Sequence, residues 1–334
     1  MKYEREFRDR CAARGMDEAE LSRAIATIEA LEAKASSAGI VLETASPGFV
    51  EGHLAELRSR GDADETRIMA IARYFLVAGG EEVAIRLLAY LLPIGVIPAM
   101  SRRLGELEGA EIMERVMAGI PVPPEGSPPE AYPAAARTFT LALEAEVGSE
   151  RARRVLTWNV HGIPASSLED ERRHFLAAPS IDAWLADHHE REVAVLARHA
   201  AEGSLWYEQR ITPRVVDFVR ADPEMRGGRR SGEFIYTTKI PYDPDRFLAT
   251  SDPVEKRRLS CHCPFVASTI DADGAAVPAL WCSCSAGYEK FRFDVVFGEE
   301  TECEVLESVI AGDDRCRFAI RIPASLLGAA GARP

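Results

Sequence analysis

The chain has 334 residues, of which 47% are hydrophobic and 28% charged, and a formal net charge of −13. That length predicts two domains with sizeable cores, and the composition excludes a disordered or fibrous chain. The acidic balance excludes a broad nucleic-acid face, which would need Lys and Arg to neutralise phosphates, but allows a local basic pocket around a small anion.

The opening MKYEREFRDRC lacks the apolar core of a signal peptide. A cytoplasmic location is therefore expected, with cysteines held as free thiols or ligands rather than disulfides. From Asp17 to about Gly119, apolar residues recur at helical spacing in LSRAIATIEALEAKA, RIMAIARYFLVA and EVAIRLLAYLL. This predicts a bundle of short helices over 1–119, a scaffold whose stripes could also form a homodimer surface. Its most apolar run, Leu87 to Met100, contains Pro93 and Pro98 and falls short of the ~20 residues needed to cross a bilayer. It reads as a buried helix and turn, with no membrane partner. IPVPPEGSPPEAYP, residues 120–133, holds six prolines and reads as a linker.

Helical periodicity returns in AAARTFTLALEAEVG and SIDAWLADHHEREVAVLARHAAEG. Within the latter, His188 and His189 precede Glu192 by four and three residues, a spacing able to chelate a metal. With no third ligand indicated, a solvated helix face is the simpler reading. His161, in TWNVHGIP, falls at a turn beside Trp158. Beyond Glu233 the pattern changes to short strand-like pieces, EFIYTTKI, RFDVVF, ECEVLESVI and CRFAIRI. Residues 134–334 are thus expected to form an α+β domain.

Two basic stretches interrupt this acidic chain. In RGGRRSGEFIYTTKI, Arg226, Arg229 and Arg230 flank glycines and Lys239 follows in a strand-like run. Arg229, Arg230 and Lys239 are the candidates to bind an anionic substrate group. Lys256, Arg257 and Arg258 then lead into CHCPFV, and would favour thiolates there.

Six of the seven cysteines lie in the last third. In an extended strand Cys261 with Cys263, and Cys282 with Cys284, would each turn two sulfurs to one side, and together could close a four-thiolate shell. Such a shell takes zinc or, alternatively, an iron–sulfur cluster. The competing readings are buried apolar thiols, or one nucleophilic cysteine activated by His262.

The stretch CSCSAGYEKFRFDVVFGEETECEVLESVIAGDDRCRFAIRIP, 282–323, resembles the closing half of the 4-vinyl reductase-like domain, a small-molecule-binding α+β fold. Its GDDRCRFAI is similar to the end of the L-2-amino-thiazoline-4-carboxylic acid hydrolase family. The resemblance implies a zinc held by a Cys before a Gly-Tyr pair, a Glu and a Cys three apart, and a final Cys. Here Cys282 stands before Gly287 and Tyr288, and Cys316 is in the final place, but Val305 and Ser308 occupy the middle positions. Cys303 and Glu307 are neighbouring substitutes, and the CHC pair could supply the missing thiolates. The resulting expectation is a small-molecule enzyme of hydrolase type on a small polar or heterocyclic substrate, with Cys316, His262 and Glu307 as catalytic candidates. The alternative is a binding or sensing module with a structural metal.

Overall fold

Five helices account for most of the first 94 residues of the computed structural model, which describes residues 1–271 and 276–327. They are α1 (Glu4–Ala12), α2 (Glu18–Ser37), α3 (Pro47–Ser59), α4 (Glu65–Ala78) and α5 (Glu81–Leu91). Their starts are chemically marked. Asp17 and Glu20 form a reciprocal capping box, Ser46 accepts from the Phe49 amide with Pro47 behind it, and Asp64 accepts from the Arg67 amide. The stripes these helices share bury Phe7, Ile28, Leu31, Leu54, Ile71, Phe75 and Leu87 in one core.

The proline-rich segment is anchored to this core rather than left free. Arg58 Nη1 donates to the Gly126 carbonyl at 3.1 Å, and Arg86 donates to both oxygens of Glu130 at 2.8 and 3.0 Å. At Gly126 a Cβ would stand 2.4 Å from the Ala63 side chain, and φ is +74, so only glycine fits. Two compact units result: Met1–Ile94 with Val122–Tyr132, and Gly95–Pro121 with the chain from Pro133 onward. The division therefore falls elsewhere than at 119 and 134: α6 (Val96–Glu108) and α7 (Ala110–Met117) belong with the second unit.

Glu81–Glu108 is the one stretch among the described residues long and apolar enough by composition to cross a membrane, and half of its most apolar window is buried inside the protein. Gly95, at φ +75, separates α5 from α6 within it. Its apolarity serves packing: Leu87, Val96, Ile97, Met100 and Leu104 are all buried.

The second unit is helix-rich with small antiparallel sheets, as the α+β expectation requires. Its helices continue as α8 (Pro133–Val147), α9 (Ser149–Leu156), α10 (Glu169–Ala177), α11 (Ile181–Glu202), α12 (Pro213–Ala221), α13 (Pro244–Ala249), α14 (Pro253–Ser260) and α15 (Ser283–Phe297). A short hairpin joins β1 (Leu205–Trp206) to β2 (Gln209–Arg210). The main sheet holds β3 (Arg229–Ser231), β4 (Phe234–Thr238), β5 (Cys303–Glu307) and β6 (Arg317–Arg321) in the antiparallel order β3-β4-β6-β5. Trp184 of α11, Phe293 and Val296 of α15, and Ile235, Phe318 and Ile320 of the sheet share one core.

Four local expectations change. RFDVVF lies inside α15, because Phe293, Val296 and Phe297 are spaced three and four apart and bury one helical face. CHC is not a strand: Cys261 caps α14, and Cys263 follows in a turn. Cys282 ends a 3-10 turn, Ala279–Cys282, and Cys284 lies in the first turn of α15, where residues two apart point roughly 200° from each other. His188 and His189 are buried rather than on a solvated face.

Candidate functional site

The site begins with a close helix contact. A Cβ on Gly287 would meet the Trp158 amide nitrogen at 2.2 Å and its carbonyl oxygen at 2.3 Å, so glycine lets α15 rest directly on the turn after α9. That contact sets Tyr288 against His161, ring centroids 6.0 Å apart in a T-shape. Both side chains are exposed, Tyr288 by 43%. Burial nevertheless pushes the Tyr288 phenol up and the His161 imidazole down, and Lys239 adds to the latter. Groups that reach water yet sit deep among protein atoms line a recess.

Lys239 leaves the end of β4 and enters this recess, 13% exposed at its side chain. Its backbone amide donates to the Cys316 carbonyl at 3.0 Å, tying it to the start of β6. Its ammonium lies 5.0 Å from the Tyr288 ring centre, 3.4 Å from Ser285 Oγ and 3.9 Å from Glu289. Burial would lower the pKa of this amine, but Glu289, Cys316 and Tyr288 outweigh it and hold the proton. The result is a largely but not fully buried cation whose three donors have one long hydrogen bond and one distant carboxylate.

The cysteines gather on the same side. Cys263, Cys282 and Cys316 lie close enough to perturb Cys261; Cys263 and Cys316 also perturb Cys282, Cys316 perturbs Cys263, and Cys284 is perturbed by Cys263 and Lys239. Burial is the main influence on all five and pushes every thiol up, Cys284 to about 12. Trp281, fully buried against Phe139 and Phe265, fixes the loop by donating Nε1 to Cys263 Sγ at 3.3 Å. His262 donates Nε2–H to the Ile240 carbonyl at 2.7 Å, which leaves Nδ1 without a proton. Burial, then Lys239, pushes its pKa down to about 3.

The donors match a thiophilic ion in kind: sulfur, and an imidazole whose far nitrogen is already hydrogen-bonded to a carbonyl, as metal-binding histidines usually are. In placement, no three His, Cys, Asp or Glu side chains among the described residues are set to hold an ion.

The anion-binding candidates separate. Arg230 pairs across the sheet with Ile235, four residues before Lys239 on β4, or about 13 Å at ~3.3 Å per residue. Its side chain meets Asp182, and Arg229 is exposed. Arg226 is the arginine that perturbs Tyr288 and His262 instead. It holds φ +65, unusual for a non-glycine residue, and its guanidinium pairs with Glu192 and lies 4.9 Å over Trp206. Arg292 fastens that backbone by donating to the carbonyls of Arg226 and Gly227. Arg292 in turn bonds His188 Nε2, whose Nδ1 is 3.0 Å from Glu171. Glu307 is committed elsewhere, to Arg315 at 2.9 and 3.3 Å and to Arg317 at 3.8 Å. Of the basic stretch before Cys261, Arg257 pairs with Asp271, and Arg258 donates to the Ile270 carbonyl.

Sequence reasoning did not select Tyr288 or Glu289 as site residues, and left His161 a packed turn residue. The Gly-Tyr pair was the available signal for Tyr288; Glu289 had none.

Residues 254–326 match the model of a family of unknown function (DUF6144). No curated protein and no solved structure matches the chain.

Proposed function

We propose that the second unit binds a small polar anionic molecule at Lys239 and acts on it as a hydrolase-type enzyme, with the neighbouring thiols holding zinc. The observation that carries the reading is the largely buried Lys239 ammonium, which keeps its proton while its donors are left largely unfilled. A carboxylate or phosphate entering the recess would complete it. The exposed Tyr288 and His161 rings would flank the rest of such a ligand.

Hydrolase chemistry rests on the resemblance of 282–323 and on the thiol cluster. Burial raises all five thiols, so a metal-free nucleophilic cysteine is disfavoured at neutral pH. Zinc with an open coordination position would polarise a bound water or carbonyl group. His262, with Nδ1 free of a proton, is the residue suited to ligate or to accept a hydrogen bond there. An iron–sulfur cluster is the alternative cofactor. A second reading, a binding module without chemistry, is favoured by the raised thiols and by the commitment of Glu307 to Arg315.

Calorimetric titration with benzoate, a small flat carboxylate, tests the anion site. Wild type is expected to bind, and Lys239→Met to weaken binding at least ~10-fold, the loss of one charge-assisted contact. Equal affinity in the two proteins, or no binding by either, would remove Lys239 from the site.

A further inference from the structure

The first unit carries a feature independent of this recess. A groove of about 780 Å³ runs between α2, α3 and the chain entering α4. Its volume lies in the range of small-molecule sites. Ala26, Ala30 and Ala33 of α2, three and four residues apart and all exposed, form one low wall, faced by Leu57 of α3. A stripe of small residues is ordinary on a helix, and here two further observations mark the groove.

The first is His53, on α3. It is 8% exposed, it lines the groove, and its Nδ1 is buried without a hydrogen-bond partner. A buried polar atom left unmatched destabilises the folded chain, so a ligand that supplies its partner gains on binding. The second is the charge arrangement. Glu56 is paired with Lys34 at 2.7 Å, and Asp64 and Asp62 with Arg67 at 3.0 and 3.6 Å. Arg23 and Arg60 also line the groove, are exposed, and form no ion pair among the described residues. Lys34 and Arg60 are close enough to depress the His53 pKa, after burial, which is the larger influence. The groove thus has an apolar wall, a neutral imidazole in its floor and two guanidinium groups outside any ion pair, with four cations facing three carboxylates.

We propose that this groove binds a small organic anion, with its apolar body on the Ala26–Ala30–Ala33 wall, its carboxylate, sulfonate or phosphate toward Arg23 and Arg60, and His53 as a hydrogen-bonding partner. The anion's charge would oppose that of Lys34 and Arg60, so the His53 imidazole should take up a proton more readily when the site is filled.

The test is a fluorescence titration of the full chain with anilinonaphthalene sulfonate, an aromatic anion of suitable size, alongside NMR observation of the histidine side chains. The expected result is saturable binding that moves the His53 resonance and raises its titration midpoint. Arg23→Glu with Arg60→Glu, both at exposed positions, should weaken binding at least ~10-fold, as opposed charge replaces attraction. Ala30→Trp, which fills the groove without changing charge, should do the same. No saturable binding by wild type, an unmoved His53 resonance, or wild-type affinity in both variants would overturn the proposal.

Discussion

His262 shows how a single residue acquires its role from position rather than type. Burial and Lys239 depress its pKa from the ordinary 6.5 to about 3, and the Ile240 carbonyl fixes which nitrogen carries the proton. His161 and His188 are displaced in the same direction. The unfolded chain therefore binds protons below about pH 6.5 that the folded chain refuses, and stability should fall as pH drops through that point toward 3. Carboxylates contribute in the same sense only below about pH 5, so the histidine effect is visible alone just above it. We expect His262→Gln to flatten part of the slope of unfolding free energy between about pH 6.5 and 5, measured by denaturant melts. An unchanged slope would place His262 in contact with solvent. The sequence singled out His262 as a proton carrier beside cysteines; its tautomer depends on the Ile240 carbonyl, twenty-two residues away in the chain.

Helix α15 is the element on which the recess depends. It carries Cys284, Ser285, Tyr288 and Glu289, and it approaches the Thr157–Trp158 backbone only because Gly287 has no side chain. Helix propensity alone predicts that Gly287→Ala stabilises by up to about 1 kcal/mol. The 2.2 Å approach to the Trp158 nitrogen reverses the sign, since it meets backbone that cannot rotate away. The variant is expected to be destabilised by roughly 1–3 kcal/mol and to lose benzoate affinity, measured by thermal melting and calorimetry. A variant as stable as wild type would show that the contact is loose. Period-two reasoning placed RFDVVF and the cysteine pairs on strands, whereas Phe293, Val296 and Phe297 follow the helical period instead. Short apolar runs carry both periods, and packing on the sheet settles which one the chain adopts. By contrast β4, β5 and β6 were legible, because EFIYTTKI, ECEVLESVI and CRFAIRI are rich in β-branched and aromatic residues.

Across the whole molecule, the two units were not equally legible in the sequence. The helical first unit was readable from its stripes and caps, but the proline-rich segment gave no sign that Arg58 and Arg86 would hold it. The thiol cluster was half legible: four cysteines stood out by their pairing, while the gathering of Cys316 and Lys239 around them depends on β4 pairing with β6, a contact between segments about eighty residues apart. The central proposal is that these thiols, although not already placed to hold an ion, form a single metal-holding set when zinc is supplied. Metal analysis of the purified chain, combined with counting thiols protected from alkylation before and after chelation, tests it most directly. The account predicts one zinc per chain, with Cys261, Cys263, Cys282 and Cys284 protected together and released together on chelation, while Cys11 and Cys303 are unaffected by the chelator. A chain that takes up no metal when zinc is supplied, with those four thiols reacting independently of one another, would contradict it.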